Sequence, residues 1–184
     1  PQSGGKIFVD NKEVTELNIS SFRELVGYVP QEGNILEGTF LNNVAWGKCS
    51  NEIDKNLVIE SLKCAKLYEV VEEKGGIEAQ IDGLSQGQKQ RLLIARALYK
   101  RPELIIFDEA TSSLDVKIEN EITEMLTNIK GKNTIIAIAH RLVTLKQCDR
   151  LVYLKEGKIV DTGTFEELAE RYVDFQNLIN LSKF

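Results

Sequence analysis

Four short apolar segments constrain the fold of this chain more than any other feature of its sequence. They are Tyr28-Val29 with its neighbours, Leu104–Phe107, Thr134–Ile138 and Leu151–Leu154. None of them alternates apolar with polar residues, as a half-exposed strand would. Continuous apolar runs of this length are typical of strands that are covered on both faces, which occur in parallel sheets. We therefore expect a mainly parallel sheet with these segments as buried strands.

Helical periodicity fills much of the chain between these segments. Apolar side chains recur every three or four residues from Ile53 to Ala65, from Ile118 to Ile129 and in the tail from Thr164 to Ser182. Strands that alternate with helices favour an α/β fold. The stretch from Thr39 to about Lys74 has helical patterns without a strand pattern, which predicts a helical subdomain.

Two turn signals lie between shorter strand-like runs. Asp10-Asn11 follows Lys6–Val9, and Gly157 lies between Leu151–Leu154 and Lys158–Val160. Because Asn, Asp and Gly favour tight turns, we expect a small antiparallel hairpin at each position.

Composition limits the partners and the compartment. With 42% hydrophobic and 28% charged residues, the chain can build one compact core. Its longest apolar run, Ile135–Ala139, is far shorter than the roughly 18 residues of a membrane span, and no basic-then-apolar leader opens it. We therefore expect neither a span nor a secretory signal.

A net charge of −5 without a basic block argues against a nucleic-acid partner. The 3 cysteines show no C-x-x-C spacing, which predicts reduced structural thiols.

An abrupt change from apolar to acidic residues marks the end of one strand segment. Leu104–Phe107 is followed directly by Asp108 and Glu109. Open α/β sheets bind ligands at the carboxyl ends of their strands, so both carboxylates are expected in that crevice. One carboxylate there suits a magnesium ion, and the next can orient or deprotonate a water beside a phosphate. A solvated acidic turn is the alternative for this segment taken alone.

A second candidate site lies at the start of a helix. Ser85 stands where an N-cap is expected for a helix-forming run over Lys89–Leu98, with Gly87 in the turn. Free N–H groups at such a start can bind an anion, although a simple capped helix explains the same pattern. Ser112–Asp115 predicts an N-cap for a helix from Val116 in the same way.

The single histidine, His140, comes directly after the apolar segment that ends at Ala139. One histidine excludes a His-rich zinc or iron site. Its position at a strand end predicts that the imidazole reaches the same crevice as Glu109, where it could hydrogen-bond a γ-phosphate. A structural histidine is the alternative for such a residue taken alone.

The order of these motifs resembles the nucleotide-binding domain of ABC transporters, the ATP-binding cassette. Six segments match family motifs in the family's order: Gln31 (Q-loop), Leu84–Gln88 (LSGGQ signature), Leu104–Asp108 (Walker B), Glu109 (catalytic glutamate), Ser113–Asp115 (D-loop) and His140 (switch histidine). Residues 38–44 and 110–115 are further similar to the exporter branch, whose members move lipids, drugs, peptides or glycolipids.

The resemblance implies a P-loop NTPase-like α/β fold. Its mainly parallel sheet would be flanked by helices, with small antiparallel β elements and a helical subdomain over about 38–98 that includes the signature. It also implies ATP and Mg²⁺ as cofactors, a second nucleotide-binding domain packed head to tail, and a transmembrane domain of the same transporter. The domain would then act at the cytoplasmic face of the membrane.

The resemblance also implies a role for each matched residue. Glu109 would polarise the attacking water, and His140 would contact the γ-phosphate. Asp108 would hold Mg²⁺ through water, and Gln31 would sense both Mg²⁺ and the transmembrane partner. The residues that would bind nucleotide are Gln31, Ser85, Gly87, Gln88 and Asp115, the last of which would link the two sites across the dimer.

Three features depart from the family pattern. Gln86 stands where the signature usually has glycine, which is expected to weaken the phosphate contact without abolishing it. Gly75–Gly83 is a few residues shorter than the corresponding exporter loop. No Gly-Lys pair is followed by Ser or Thr, so the Walker A pattern G-x-x-x-x-G-K-[ST] does not occur. We expect the chain to begin after that loop and to be inactive by itself.

Two other functions remain open. A soluble ABC-type ATPase of DNA repair or translation would use similar motifs, but the exporter-like segment 38–44 and the acidic balance argue against it. A shortened, non-catalytic interaction domain is the other alternative. The retention of Glu109 and His140 makes that alternative less attractive.

Overall fold

The computed structural model describes residues 4–109, 124, 127, 131, 133–139, 142–173 and 175–176. The strands are β1 (Phe8–Val9), β2 (Lys12–Glu13), β3 (Val26–Val29), β4 (Leu104–Asp108), β5 (Thr134–Ile138), β6 (Leu151–Lys155) and β7 (Lys158–Gly163). The helices are α1 (Ile19–Glu24), α2 (Phe40–Val44), α3 (Lys55–Cys64), α4 (Tyr68–Glu73), α5 (Gln86–Tyr99), α6 (Leu142–Lys146) and α7 (Phe165–Arg171).

A parallel three-stranded sheet in the order β3-β4-β5 forms the centre of the fold. Val29 pairs with Phe107, and Phe107 pairs with Ala137. The parallel sheet with its surrounding helices confirms the predicted α/β class. Both predicted hairpins are also antiparallel, β1 with β2 and β6 with β7.

The two faces of the parallel sheet differ in burial. Val29 and Ile105 are fully buried on the face that packs into the main hydrophobic core, together with α5. Tyr28, Ile136 and Ile138 lie on the other face and remain about half exposed, at 53%, 49% and 50%. The expectation of burial on both faces is therefore wrong for β3 and β5, because the core formed by the described residues lies on the other face of the sheet. The central strand β4 is partly buried on this second face.

The segment Leu151–Leu154 is a second correction. It was expected to be a buried strand of the parallel sheet, but within the described residues β6 pairs with β7 in a separate two-stranded sheet. Leu151 packs with Phe165 and Leu168 of α7 in a small core of its own. The side chain of Leu154 points the other way and is 62% exposed, because successive side chains of a strand alternate between its faces.

Four α-helices, α2 to α5, lie between β3 and β4, a stretch all of which is described. Polar side chains cap α2, α3 and α5, whereas α4 begins after Leu67 with no side-chain cap. Thr39 Oγ1 accepts a hydrogen bond from the backbone N–H of Asn42 at 3.1 Å, and Asp54 caps α3 in the same way. The apolar faces of α2, α3 and α5 then pack together in the main core. The boundaries of a helical subdomain remain a prediction.

Parts of the predicted helices fall outside the described residues. Of the helix expected from Ile118 to Ile129, only Glu124 and Thr127 are described, and both are helical. In the tail, Thr164 caps α7, and residues 177–184 lie outside the description. Within the described ranges, every helix is too short or too polar to cross a lipid bilayer.

Replacing Ile105 by alanine should lower the free energy of unfolding by about 2–5 kcal/mol, because it opens a cavity beside a fully buried strand. The matched control is Ile159→Ala in β7, where the side chain is 66% exposed and the expected cost is below about 1 kcal/mol. Urea denaturation of both variants measures the two values. Equal losses would contradict the assignment of the core to the β4 face.

Candidate functional site

The carboxyl ends of the parallel strands bring three predicted site residues to one edge of the sheet. Asp108 is the last residue of β4, and Glu109 follows it. Val29 of β3 pairs with Phe107 of β4. Gln31 comes two residues after Val29 and Glu109 comes two residues after Phe107, so both follow the strand ends at the same level. Both carboxylates are partly buried, whereas Gln31 is exposed. This edge can hold a cation between carboxylate oxygens and solvent.

A tyrosine on β3 contacts the Asp108 carboxylate. Tyr28 pairs with Ile106, so its side chain shares a face with Asp108 two residues along β4. Tyr28 Oη donates a hydrogen bond of 2.8 Å to Asp108 Oδ2. This hydrogen bond raises the pKa of Tyr28 above its ordinary value, so the hydroxyl stays protonated and remains a donor at neutral pH.

Glu109 adopts a backbone conformation that is unusual for its residue type. Its φ is 49°, in the left-handed region, and its N–H donates a hydrogen bond of 3.0 Å to the carbonyl oxygen of Ile138. Non-glycine residues in this region carry strain, and such residues cluster at functional sites. The chain therefore leaves the path of β4 directly after Asp108, at Glu109.

The signature residues form the capped start of α5. Ser85 Oγ accepts a hydrogen bond of 3.3 Å from the N–H of Gln88, and Gln88 Oε1 accepts one of 3.0 Å from the N–H of Ser85. Gly87 is buried, and Gln86 is exposed at the first helical position. The N-cap predicted at Ser85 is confirmed. Because Ser85 Oγ accepts in this capping box, its own O–H can still donate to an anion.

The loop that contains Gln31 is attached to α5 at two points. Gln90 is 3% exposed, and its Nε2 donates a hydrogen bond of 3.2 Å to the carbonyl oxygen of Pro30. Gly33 packs so closely on α5 that a Cβ at this position would lie 2.5 Å from Leu93 Cδ1. The strand end and the signature helix are therefore one packed unit.

A buried polar network joins the same loop to α2. Asn43 is fully buried, and its Nδ2 donates to the carbonyl oxygens of Leu36 and Thr39, each at 3.0 Å. Arg96 of α5 donates to Asn43 O at 2.8 Å, to Asn43 Oδ1 at 2.9 Å and to Asn34 O at 3.0 Å. Burial lowers the pKa of Arg96 to about 10, which leaves it charged at neutral pH.

A groove of about 600 Å³ opens beside this network. The guanidinium of Arg96 stacks over the ring of Trp46 at 4.5 Å, and Trp46 itself is 51% exposed. The groove is also lined by Glu24, Asp54, Tyr99, Lys100 and Arg101. None of these residues is among the predicted nucleotide contacts.

Two predicted site residues, His140 and Asp115, lie outside the described residues. Among the residues that are described, no group of three or more His, Cys, Asp or Glu side chains is arranged to hold a metal ion.

Comparison with known proteins identifies the family. Residues 1–112 match the family model described as "ABC transporter". The chain belongs to the ABC transporter family. Among its curated relatives, the ABC multidrug transporter atrD of Emericella nidulans is 36% identical over 188 residues, which cover 96% of this chain and 14% of the relative. The ATP-dependent lipid A-core flippase of Francisella novicida is 39% identical over 175 residues, which cover 92% of this chain and 29% of the relative.

A solved structure supports the fold of this ABC transporter chain. The structure of a bacterial Atm1-family ABC exporter with ATP bound superimposes with a TM-score of 0.88 at 28% identity, covering 99% of this chain and 33% of that chain. The chain thus spans a minor part of the length of each of these relatives. The P-loop NTPase-like α/β class and the exporter-type family predicted from the motifs are confirmed.

Four residues of this ABC transporter site were not predicted from the sequence: Tyr28, Asn43, Gln90 and Arg96. Tyr28 could have been found, because pairing the two apolar strands with their ends aligned places Tyr28 on the Asp108 face. The other three had no comparable signal, since Gln90 and Arg96 of α5 contact Pro30, Asn34 and Asn43, which are brought near α5 by the folded structure.

Replacing Asn43 by alanine should destabilise the fold by about 2–4 kcal/mol, because it removes the side-chain acceptor Oδ1 from Arg96 and leaves backbone groups of Leu36 and Thr39 without their side-chain partner. The control is Asn42→Ala, which changes the exposed neighbour in the same helix and should cost less than about 1 kcal/mol. Thermal and urea unfolding of both variants measure the difference. A loss at Asn43 no larger than at Asn42 would contradict the structural role of the network.

Proposed function

We propose that this chain is part of the nucleotide-binding domain of an ABC exporter. In the proposal, ATP binds between this domain and a second one packed head to tail, and ATP hydrolysis drives export or flipping of a substrate through a transmembrane partner. The domain acts at the cytoplasmic face of the membrane, and residues 38–98 form its helical subdomain. The observation that carries the proposal is the pair of carboxylates at the end of β4, at one sheet edge with Gln31.

Asp108 and Gln31 are the proposed residues on the side of Mg²⁺. Magnesium is usually bound by one or two carboxylates together with water and substrate phosphates, so a partly buried carboxylate beside an exposed amide fits it. When bound, Mg²⁺ would neutralise charge on the phosphates of ATP. Asp108 would hold the ion through water, and Gln31 would orient a water at the same edge.

Glu109 is the proposed catalytic residue. Asp108 ends β4, whereas Glu109 has left the strand in a left-handed backbone conformation, and these different settings support separate roles for two carboxylates that are adjacent in sequence. Glu109 would accept a hydrogen bond from the attacking water and polarise it. The proposal adds His140 as the contact of the γ-phosphate and Asp115 as the link between the two sites, both on the family resemblance alone.

Ser85, Gly87 and Gln88 are the proposed contacts to the nucleotide held mainly by the second domain. The first N–H groups of α5 lack partners within the helix, and the helix dipole favours an anion there. The Ser85 hydroxyl can donate while its oxygen remains in the capping box. The exposed Gln86 side chain would lie at this contact in place of the usual glycine.

The polar network of Asn43 and Arg96 is the proposed connection between the nucleotide site and the transmembrane partner. Arg96 lines the groove beside Trp46 and also bonds Asn34, three residues after Gln31. A partner segment bound in the groove would therefore act on the loop that follows Gln31. The names of the relatives, a multidrug transporter and a lipid A-core flippase, favour this function over a soluble ATPase that acts on a macromolecule.

The chain by itself should bind Mg-ATP more weakly than about 1 mM. The sequence contains no G-x-x-x-x-G-K-[ST], and without that lysine and its ring of N–H groups most of the binding energy for the β- and γ-phosphates is missing. Isothermal titration calorimetry of the chain with Mg-ATP measures this affinity. A dissociation constant in the micromolar range would contradict the proposal.

In a full-length transporter that contains this sequence, Glu109→Gln should lower the rate of ATP hydrolysis at least about 100-fold, because an amide cannot act as the base. Nucleotide binding should be retained, since the change removes no proposed phosphate contact. The matched control is Glu103→Gln, an exposed residue at the opposite end of β4. Phosphate release and nucleotide binding are measured on each variant. Undiminished hydrolysis in Glu109→Gln would refute the assigned role.

A further inference from the structure

We propose that Tyr28 is a positioning residue for the Asp108 carboxylate and that it sets the affinity of this edge of the sheet for a divalent cation. The inference rests on the proposed function, in which Asp108 is the residue that holds Mg²⁺. Tyr28 makes no contact with the ion in this proposal. It holds Oδ2 of Asp108 so that Oδ1 is the oxygen on the metal side.

The position of Tyr28 in the sheet gives the contact its geometry. The hydrogen bond from Tyr28 Oη to Asp108 Oδ2 is 2.8 Å long and crosses between two paired parallel strands. Val29, next to Tyr28, is fully buried in the main core, which fixes the backbone of β3 at this point. Sites built on strands hold side chains more accurately than sites built on loops.

The chemistry of the donor also suits a cation site. A phenol has a single O–H to donate and carries no charge, so it orients the carboxylate without neutralising it. A lysine or arginine at the same place would orient Asp108 but would repel the cation. Carboxylates that ligate metals are commonly hydrogen-bonded by outer partners of this kind, and loss of such a partner typically lowers metal affinity.

Tyr28 also lies on the same strand end as Gln31. Pro30, between them in the sequence, accepts the hydrogen bond of Gln90 through its carbonyl oxygen. A small displacement of this strand end would therefore move the donor of the Asp108 carboxylate and the loop that contains Gln31 at the same time. The contact makes the direction of the carboxylate depend on β3 as well as on β4.

The test uses the complete chain, labelled with ¹⁵N, and Mn²⁺ as the probe. Mn²⁺ prefers the same oxygen ligands as Mg²⁺ and broadens the signals of amides near its site. The measured quantity is the Mn²⁺ concentration at half-maximal broadening of the Asp108 and Glu109 amides. Tyr28→Phe should raise that concentration roughly tenfold, because the carboxylate loses the donor that orients it.

The matched control is Tyr68→Phe. Tyr68 also donates a hydrogen bond to a carboxylate, that of Glu72, but on α4 and away from the strand ends. This control should leave the Mn²⁺ midpoint unchanged, and Asp108→Asn should abolish the local broadening. If Tyr28→Phe leaves the Mn²⁺ midpoint unchanged but Asp108→Asn abolishes the broadening, the positioning role of Tyr28 is overturned and the metal role of Asp108 stands. If the unmodified chain shows no local broadening, the positioning role of Tyr28 and the metal role of Asp108 are both overturned.

A second measurement requires no substitution. In the metal-free chain, exchange of H₂O for D₂O should shift the ¹³Cγ resonance of Asp108 through its hydrogen bond with the Tyr28 hydroxyl. The exposed Asp82 serves for comparison, because it accepts its hydrogen bond from the ammonium group of Lys74 and not from a phenol. The positioning role requires this hydrogen bond. An Asp108 ¹³Cγ resonance that does not shift between H₂O and D₂O would therefore overturn the proposal.

Discussion

The parallel pairing of β3, β4 and β5 is the constraint on which the candidate site depends. One register aligns Val29, Phe107 and Ala137, and all three strands then end at the same edge. Residues that are about 80 positions apart in the sequence, such as Tyr28 and Asp108, become neighbours for this reason alone. A shift of one residue would move Tyr28 to the buried face and remove its contact with Asp108, since strand side chains alternate.

The polar network around Asn43 is the second constraint, and it acts between elements and not within one. Arg96 is charged and partly buried, and the structure gives it carbonyl and amide oxygens together with the ring of Trp46. Hydrogen bonds to a charged group are stronger than neutral ones, and a buried charge left without them is costly. Asn43 and Arg96 therefore hold the loop after Gln31 between α2 and α5. Removing either side chain alone is expected to lower the free energy of unfolding substantially, because the other loses a partner.

Sequence patterns predicted the parts of this structure that depend on local chemistry. The apolar run before Asp108 placed two carboxylates at a strand end, and Ser85 was correctly predicted as an N-cap, because both signals lie within a few residues. The contacts of Tyr28, Gln90 and Arg96 were not predicted, because each partner is 53 or more positions away. The exposed face of β5 was also missed, since an apolar residue such as Ile136 has the same sequence signature whether or not another element covers it.

Asp108 and Glu109 are chemically similar and adjacent, and the fold gives them different surroundings by simple means. Asp108 keeps strand geometry and accepts a hydrogen bond from a neutral donor on the neighbouring strand. Glu109 leaves the strand in a left-handed conformation, which costs on the order of 1–2 kcal/mol and is stabilised in part by its N–H bond to Ile138. If both had continued as a strand, their side chains would lie on opposite faces of the sheet. The left-handed turn takes Glu109 off the path of the strand, so the two adjacent carboxylates have different surroundings, as the roles proposed for them at a cation and at a water require.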